Sequence, residues 1–263
     1  MYILAIETTG AFASVAVAEA LDHGRECRIL AQVEGHDRYS HLQNLTPQIQ
    51  QVLSDAEITM DDLSAIAVAN GPGSFTGIRI GVSTTRALSQ VKGIPCVPVS
   101  SLEALAMRAV CAESSGEAPA DGAPVDGALI CPILDARRSQ VYGGGYLAGL
   151  DADGSVQLQE AVKAGPYTID EFMELAGEYD EIYMLGDGVD TCGQKIEANR
   201  TEGVAFAPEE IRYQRAEEVA VLGAAKFAAG ESVSYDMLKP EYMRMAEAER
   251  KLRAKQAEVK ANG

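Results

Sequence analysis

The stretch NGPGSFTGIR, at residues 70–79, follows an apolar run at 65–69 and precedes a helical pattern at 78–92. A strand, a glycine-rich loop and a helix in this order can present backbone N–H groups and a helix N-terminus to an anion. The loop nevertheless matches neither common nucleotide fingerprint. Gly77 is followed by Ile78 and Arg79, where a Walker A loop has Lys and then Ser or Thr, and the G-x-G-x-x-x-G spacing is one residue longer than the dinucleotide motif.

The region around this loop is still a candidate anion or nucleotide site. Its glycines leave room for a phosphate, its hydroxyls can donate hydrogen bonds, and a guanidinium lies in the first helical turn. With two residues of the turn after the first strand, the candidates are Glu7, Thr9, Gly71, Gly73, Ser74, Thr76 and Arg79. The alternative is a tight turn whose glycines let a neighbouring segment approach closely. Phe75 favours this alternative, because an aromatic ring at a loop tip serves packing better than phosphate binding.

Outward from the loop, the chain predicts an α/β protein of two similar lobes. Apolar runs at 2–6 and 14–18 form a hairpin. After a segment rich in Ala, Gly, Pro, Ser and acidic residues, runs at 129–134 and 140–146 repeat this hairpin around a turn at 136–138. In both hairpins an acidic residue ends the first strand, which indicates an internal duplication.

The same patterns set the predicted boundaries. We expect a first lobe at 1–112 completed by a helix at 209–230, a linker at 113–127, a second lobe at 128–208, and a C-terminal extension with a charged tail at 231–263. Further strands are predicted at 27–33, 96–99, 156–159, 181–185 and 204–207. Further helices are predicted at 39–54, 101–111, 168–176 and 189–198, and Pro47 predicts a kink or an early break in the first of these. Thr168 and Glu171 predict a capping box for the helix that ends at 176. In the helix at 209–230 the apolar spacing predicts one face of Val219, Leu222, Ala225 and Ala229.

Composition argues against several function classes. The net charge is −17, from 22 basic and 39 acidic residues, whereas binding of nucleic acid by the chain alone needs clustered Lys and Arg. The five cysteines show no C-x-x-C pair, which is typical of reduced thiols in a cytosolic protein. No run approaches the ~20 apolar residues of a membrane helix, and Glu7 interrupts the apolar start, so we expect a soluble, cytoplasmic protein without membrane contact.

The histidines give no support for metal or hydrolytic chemistry. The chain has only His23, His36 and His41. The last two are five residues apart, roughly 140° of rotation on a helix, so they do not share a face that could bind a metal. None lies near a nucleophile-elbow pattern. The sequence therefore predicts no catalytic residue and no metal site.

Five segments resemble a known family. They are ILAIETTG at 3–10, NGPGSFTGIRIG at 70–81, CVPVSSLEAL at 96–105, LDARRSQVY at 134–142 and KPEYMR at 239–244. Their order and spacing are typical of the bacterial TsaB (YeaZ) family, and the match covers most of residues 1–244. The resemblance implies a two-lobed actin-like ATPase (ASKHA) fold, in which each lobe is a mixed sheet flanked by helices. That family is also similar to the glycoprotease-type M22 proteins, so a protease label is a foreseeable misannotation.

The resemblance also implies a function. The chain would act in forming N6-threonylcarbamoyladenosine next to the anticodon of tRNAs that read A-starting codons. In that pathway TsaB is the non-catalytic partner of its paralogue TsaD, which carries ATP and metal, and TsaE joins as an ATPase. The chain alone would bind no cofactor, would meet tRNA only through the complex, and would form a homodimer when isolated, because a paralogue's surface should be nearly self-complementary.

Phosphate clamps of the actin-like fold use glycine-rich turns in both hairpins. Here the first turn keeps Gly10, but the second turn, at 135–138, has no glycine and contains Arg137 and Arg138. These arginines could bind an anion themselves, but we expect them to form solvent-facing or interface ion pairs. This favours the accessory subunit over two alternatives, an active actin-like-fold ATPase or kinase and a metalloprotease-like hydrolase. A homodimeric scaffold that serves another pathway is a further alternative.

The resemblance places partner binding on the first lobe. Apolar residues at helical spacing in the helices at 39–54 and 78–92, together with the loop-tip aromatic, form a hypothetical interface of Leu42, Leu45, Ile49, Val52, Phe75, Val82 and Leu88. The alternative is that some of these side chains face the protein's own sheet.

Overall fold

The structure is a computed structural model that describes residues 1–24, 26–35, 41–115, 127–150, 156–200 and 202–244. The tail after Arg244, most of the predicted linker, His36 and the predicted start of the first helix lie outside the described residues. Within the described ranges the chain forms two five-stranded mixed sheets. No helix of these ranges is both long enough and apolar enough to span a membrane.

The first sheet has the strand order β3-β2-β1-β4-β5. Its strands are β1 (Tyr2–Glu7), β2 (Ser14–Leu21), β3 (Glu26–Glu34), β4 (Leu63–Gly71) and β5 (Cys96–Ser100). The first three strands are antiparallel, and β4 and β5 continue parallel to β1. Burial on both faces explains why β1 and β4 consist almost entirely of apolar residues.

The second sheet repeats this topology. Its strands are β6 (Leu129–Asp135), β7 (Gln140–Leu150), β8 (Val156–Thr168), β9 (Ile182–Leu185) and β10 (Val204–Phe206), in the order β10-β9-β6-β7-β8. Again three antiparallel strands are followed by two strands parallel to the first. The shared strand order agrees with the predicted duplication, although β8 is much longer than the predicted strand at 156–159.

Six helices surround the sheets in the described ranges. They are α1 (His41–Asp55), α2 (Phe75–Lys92), α3 (Ser101–Ser115), α4 (Ile169–Ala176), α5 (Asp187–Asn199) and α6 (Ala216–Ala228). Helices α1 and α2 cover the outer face of the first sheet, and α4 and α5 cover the outer face of the second. Helices α3 and α6 lie between the sheets and pack against each other. This is the two-lobed actin-like ATPase fold.

Helix α6 presents a different face to the first sheet than the sequence predicted. Of the predicted apolar face, Val219 is buried and Leu222 packs against the same core, but Ala225 and Ala229 are exposed. The buried face contains small residues instead, because the strands beneath it present alanines to the helix. A Cβ at Gly223 would lie only 2.4 Å from Cβ of Ala67, which shows how closely the helix approaches the sheet.

Two helix boundaries also differ from the prediction. Helix α2 begins at Phe75 and not at Ile78, because the Ser74 hydroxyl accepts a hydrogen bond from the Gly77 amide and caps the helix. Helix α1 runs through Pro47 without the early break, and Pro47 lies on its exposed side. The predicted capping box of Thr168 and Glu171 at the start of α4 is confirmed.

The chain after α6 returns to the first lobe. Val233 pairs with Cys96 at the edge of β5, and Leu238 is buried in the core beneath α1 and α2. The Glu241 amide then donates a hydrogen bond to the carbonyl oxygen of Asn70. This segment brings the KPEYMR motif over the loop that follows β4.

Candidate functional site

A cleft of about 460 Å³ lies between the two lobes. The β1–β2 turn and the loop before α2 form its first-lobe wall, and the β6–β7 turn and the start of α5 form its second-lobe wall. Three candidate anion-binding residues line it, Thr9, Gly73 and Ser74, whereas Gly71, Thr76 and Arg79 do not.

The glycines of the NGPGSFTGIR loop hold it against the β1–β2 turn. The Ser74 amide donates to the Thr9 carbonyl oxygen at 2.8 Å, and the Thr8 hydroxyl donates to the Gly77 carbonyl oxygen at 2.8 Å. A Cβ at Gly77 would lie 1.8 Å from the Thr8 carbonyl oxygen, and one at Gly73 would lie 2.6 Å from that of Thr9. Close approach of two chain segments therefore requires these two glycines, as the tight-turn alternative predicts.

The KPEYMR segment closes the other side of the same loop. The Asn70 side-chain amide donates to the Lys239 carbonyl oxygen at 3.2 Å. A Cβ at Gly71 would lie 2.2 Å from the Glu241 carbonyl oxygen, so this glycine is also required by a close approach. Two motifs that are about 170 residues apart in sequence thus form one structural unit.

Arg79 takes part in an aromatic cluster and does not point into the cleft. Its Nε donates to the Tyr242 hydroxyl at 3.0 Å, and its guanidinium lies 3.9 Å from the centroid of the Phe75 ring. The centroids of the Phe75 and Tyr242 rings are 4.8 Å apart. We call Phe75, Arg79 and Tyr242 the aromatic cluster. The guanidinium of Arg79 is thus engaged by Tyr242 and Phe75, and its predicted role as an anion ligand stays a prediction.

Glu7 lies beneath the cleft and supports its turn. Its Oε1 accepts hydrogen bonds from the Thr9 amide and, at 2.6 Å, from the Thr9 hydroxyl. Its Oε2 is buried and has no hydrogen-bond partner among the described residues. Complete burial raises the pKa of Glu7 to about 7 although the bonds from Thr9 oppose this shift.

The β6–β7 turn is built from three non-glycine residues in the left-handed region. Arg137, Arg138 and Ser139 have φ of 64°, 57° and 57°. The Asp135 carboxylate stabilises the turn by accepting from the Arg137 amide at 2.8 Å, and it also pairs with the exposed Arg137 guanidinium at 3.4 Å. Arg137 therefore forms the solvent-facing ion pair that the sequence indicated as one alternative.

The start of α5 adds two further carboxylates to the cleft. Asp187, the first residue of α5, accepts from the Asp135 amide at 2.8 Å. Asp190 pairs with Arg212 at 2.6 Å and accepts from the Tyr213 hydroxyl at 2.8 Å. Burial raises the pKa of Asp187, and the nearby carboxylates of Asp135 and Asp190 add to this shift. A helix N-terminus favours a bound anion, but the first turn of α5 already carries the carboxylates of Asp187 and Asp190.

Sequence reasoning missed Asp187, Asp190 and Gln214, which also line the cleft. The sequence did contain a signal for Asp187. Gly186, Asp187 and Gly188 directly follow β9, and the carboxyl ends of parallel strands are where α/β proteins bind ligands. No local signal existed for Gln214, which reaches the cleft from the segment before α6. Among the residues that the structure describes, no three His, Cys, Asp or Glu side chains are placed to hold a metal ion.

The hypothetical interface is largely buried in the first lobe. Leu45, Ile49, Val52 and Val82 expose at most 5% of their surface and belong to the core beneath α1 and α2. Leu88 packs against the same core. These side chains cannot form an exposed face, because they fill the space between the helices and the sheet. Phe75 is exposed, and the side chain of Leu42 lies outside the described part of the chain.

Comparison with known proteins gives consistent matches. The family model described as TsaD, tRNA N6-adenosine threonylcarbamoyltransferase, matches residues 29–252. The tRNA threonylcarbamoyladenosine biosynthesis protein TsaB of Bacillus subtilis is 34% identical over 255 residues, which cover 95% of this chain and 97% of that protein. TsaB of Escherichia coli is 27% identical and covers 97% of this chain and all of that protein.

A solved structure supports the fold. The structure of YeaZ from Pseudomonas aeruginosa superposes with a TM-score of 0.70 at 23% identity, covering 92% of this chain and 99% of that chain. At this level of identity the likeness concerns the fold alone.

Proposed function

Because the chain belongs to the TsaB family of tRNA threonylcarbamoyladenosine biosynthesis proteins, we propose that it is a non-catalytic accessory subunit of the complex that makes this modification. In this proposal the chain pairs with TsaD, which holds ATP and the metal, and TsaE joins the complex. The complex forms N6-threonylcarbamoyladenosine next to the anticodon of tRNAs that read A-starting codons. The chain meets tRNA only through the complex, in the cytoplasm.

The observation that carries the non-catalytic role is the arrangement of aspartates in the cleft. Asp135, Asp187 and Asp190 would face the phosphates of a nucleotide bound between the lobes. The Asp187 carboxylate already accepts a hydrogen bond from the Asp135 amide. This backbone donor of the β6–β7 turn is therefore not available to a phosphate. Asp135 and Asp190 have arginine partners, but Asp187 has a carboxylate without one within the described ranges, which disfavours a triphosphate. The β6–β7 turn also has side chains where a phosphate clamp has glycines. These features support a chain that does not itself hydrolyse ATP.

The aromatic cluster supports a revised contact surface for TsaD. Phe75 and Tyr242 leave 37% and 38% of their surface exposed even though they stack on each other. Aromatic residues and arginine are enriched at the energetic centres of protein interfaces. The cluster also lies where NGPGSFTGIR and KPEYMR meet, so both motifs would serve one contact. In the isolated chain the same surface would pair with a second copy.

Reconstitution of tRNA modification tests the proposed function. Purified TsaD, TsaE and the synthase that makes threonylcarbamoyl-AMP are incubated with tRNA, with and without this chain. We expect N6-threonylcarbamoyladenosine, measured by mass spectrometry of nucleosides, to fall at least about tenfold when the chain is omitted, a change of about 1.4 kcal/mol or more. Modification that does not depend on the chain would contradict the proposal.

A surface variant tests the proposed contact separately. The double change Phe75→Ala and Tyr242→Ala should weaken TsaD binding, measured by calorimetry, by about 2 kcal/mol or more, because it removes two aromatic anchors. Leu175→Ala is the matched control, since Leu175 is an exposed apolar residue on α4 in the other lobe. Unchanged TsaD binding by the double variant, with its fold intact by circular dichroism, would place the contact elsewhere.

A further inference from the structure

Gln214 carries a buried amide group that lacks a partner. Its side chain lines the interlobe cleft, and the residue is only 4% exposed. Its Nε2 has no hydrogen-bond partner among the residues that the structure describes. Its Oε1 packs against the β1–β2 turn, since a Cβ at Gly10 would lie 2.8 Å from this oxygen. A buried amide donor is costly without an acceptor, so Nε2 points to an oxygen supplied by a ligand.

The first-lobe wall offers further donors beside Gln214. Gly73, Ser74 and Phe75 bring the N-terminus of the 18-residue helix α2 to the cleft. The first N–H groups of a helix have no acceptor inside the helix and carry a partial positive charge. The Ser74 hydroxyl satisfies only the Gly77 amide. This wall therefore suits a carbonyl or carboxylate oxygen.

The second-lobe wall has the opposite character. Asp135 and Asp190 each have an arginine partner, Arg137 and Arg212. Asp187 accepts from the Asp135 amide but forms no ion pair within the described ranges. The Arg137 guanidinium, which also lines the cleft, lowers the pKa of Asp187 less than either neighbouring carboxylate raises it. A cation placed here would relieve the repulsion between Asp187 and the neighbouring carboxylates. This wall therefore suits an ammonium or guanidinium group.

We propose that the interlobe cleft binds a small zwitterionic molecule of the amino-acid or short-peptide class and that this molecule bridges the two lobes. Its carbonyl or carboxylate oxygen accepts from Gln214 Nε2 and from the N-terminus of α2. Its ammonium or guanidinium group faces Asp187 and the two neighbouring aspartates. A volume of about 460 Å³ is within the usual range for small-molecule sites.

The two walls disfavour simpler ligands. A nucleoside triphosphate would set its charge against the aspartates, and a polyamine would leave Gln214 Nε2 without an acceptor. Only a ligand with both groups satisfies both walls. The inference does not rest on the proposed TsaD contact. Phe75 belongs to the aromatic cluster and also lines the cleft, but Gln214 and Asp187, the two side chains proposed to hold the ligand, lie outside that cluster.

Titration followed by NMR tests this inference with matched probes. We expect 6-aminohexanoate to bind at least tenfold tighter than hexylamine or hexanoate, and L-arginine to bind at least tenfold tighter than agmatine, which lacks the carboxylate. The side-chain amide resonances of Gln214 should shift with saturation. Equal affinity for the amine and the zwitterion, or no saturable shift with either zwitterion, would overturn the proposal, as would displacement of the zwitterion by ATP with Mg²⁺ at lower concentration.

Variants connect the binding to the two walls. Asp187→Asn keeps an oxygen for the Asp135 amide but removes the charge, and Gln214→Leu removes the donor, so each should weaken binding at least tenfold. Gln214→Glu, which replaces the donor by an acceptor, serves the same purpose if the leucine variant does not fold. Glu174→Gln, an exposed change on α4, is the control and should bind like the unaltered chain. Unchanged affinity in Asp187→Asn or in the Gln214 variant would refute the assignment.

Discussion

At the scale of single residues, the glycines of the NGPGSFTGIR loop and the buried acid at the end of β1 determine the form of the cleft. Gly73 and Gly77 let the loop contact the β1–β2 turn, and Glu7 holds this turn through Thr9. The glycine spacing predicted a close approach but not its partner, which comes from a turn more than 60 residues earlier. Thr9, Gly73 and Ser74 line the cleft, whereas Arg79 is turned away by the Tyr242 hydroxyl.

Gly77→Ala should destabilise the protein by about 2–3 kcal/mol, because the new Cβ meets the Thr8 carbonyl oxygen and the backbone must move. The measurement is the free energy of unfolding from denaturant titration. Gly193→Ala is the matched control, since Gly193 is also helical and its nearest atom would be 3.9 Å away. That change should be neutral or stabilise by up to about 1 kcal/mol. Equal effects of the two changes would contradict this explanation.

Glu7 should make stability depend on pH. Burial raises the pKa of Glu7 from about 4.5, the ordinary value of a glutamate side chain, to about 7, so the folded state binds more protons than the unfolded state between these pH values. The free energy of unfolding should therefore fall as the pH rises from about 5 to 8, by about 3 kcal/mol at most from this group. Glu7→Gln keeps an acceptor for Thr9 and removes the titration, so it should flatten this decline.

The difference between the unaltered chain and the Glu7→Gln variant gives the contribution of Glu7 alone. Glu218 is also buried with a raised pKa, and it contributes to the decline in both the unaltered chain and the variant. Glu174→Gln, an exposed acid, should keep the full decline. If the unaltered chain and Glu7→Gln lose stability equally between pH 5 and 8, the shift assigned to Glu7 is wrong.

At the scale of secondary-structure elements, α3 and α6 join the lobes from the layer between the sheets. Arg108 of α3 is 3.2 Å from the Glu218 carboxylate and 3.5 Å from that of Glu217, both on α6. The Arg108 and Glu218 side chains are almost fully buried. Helical periodicity predicted both helices, but it did not predict that each would face a sheet and the other helix. A helix with two buried faces has no single apolar stripe from which its orientation can be read.

Arg108→Ala should cost about 3–5 kcal/mol of unfolding free energy at pH 8, because it leaves the Glu218 carboxylate buried without its cation. The loss should be smaller at pH 5.5, where the carboxyl can be protonated. Lys226→Ala is the control, since Lys226 of α6 pairs with Glu103 of α3 at 3.4 Å in a more exposed position. That change should cost no more than about 1 kcal/mol. A large loss from Lys226→Ala or none from Arg108→Ala would contradict the expected difference.

At the scale of the whole molecule, two lobes of the same topology meet at a cleft whose walls differ in charge. The first wall combines a helix N-terminus with the Gln214 amide group, which has no acceptor in the described part of the chain. The second wall presents three aspartates and Arg137. The resemblance to actin-like ATPases implied a phosphate clamp between the two hairpin turns, and the cleft lies between these turns. The hairpins did not predict the character of the cleft's second wall, because Asp187 and Asp190 come from α5, far along the chain from the β6–β7 turn.

The isolated chain should show no saturable binding of ATP with Mg²⁺ below about 1 mM in titration calorimetry. The physical reason is that the β6–β7 turn has side chains where a phosphate clamp has glycines, and the Asp135 amide of this turn already donates to Asp187. The proposed TsaD partner, measured under the same conditions, is the positive control. Micromolar binding by this chain would instead favour an active actin-like-fold ATPase or kinase.

The sequence by itself determined the α/β class, the two strand–turn–strand repeats, the main helices and the family, because these follow from periodicity, turn chemistry and motifs within short windows. Only the tertiary structure decided which helix faces are buried, which moved Leu45, Ile49, Val52 and Val82 from a supposed interface into the core. It also brought KPEYMR over NGPGSFTGIR and Gln214 into the cleft. Such contacts join residues that are distant in sequence, and local patterns carry no information on which of the possible partners will meet.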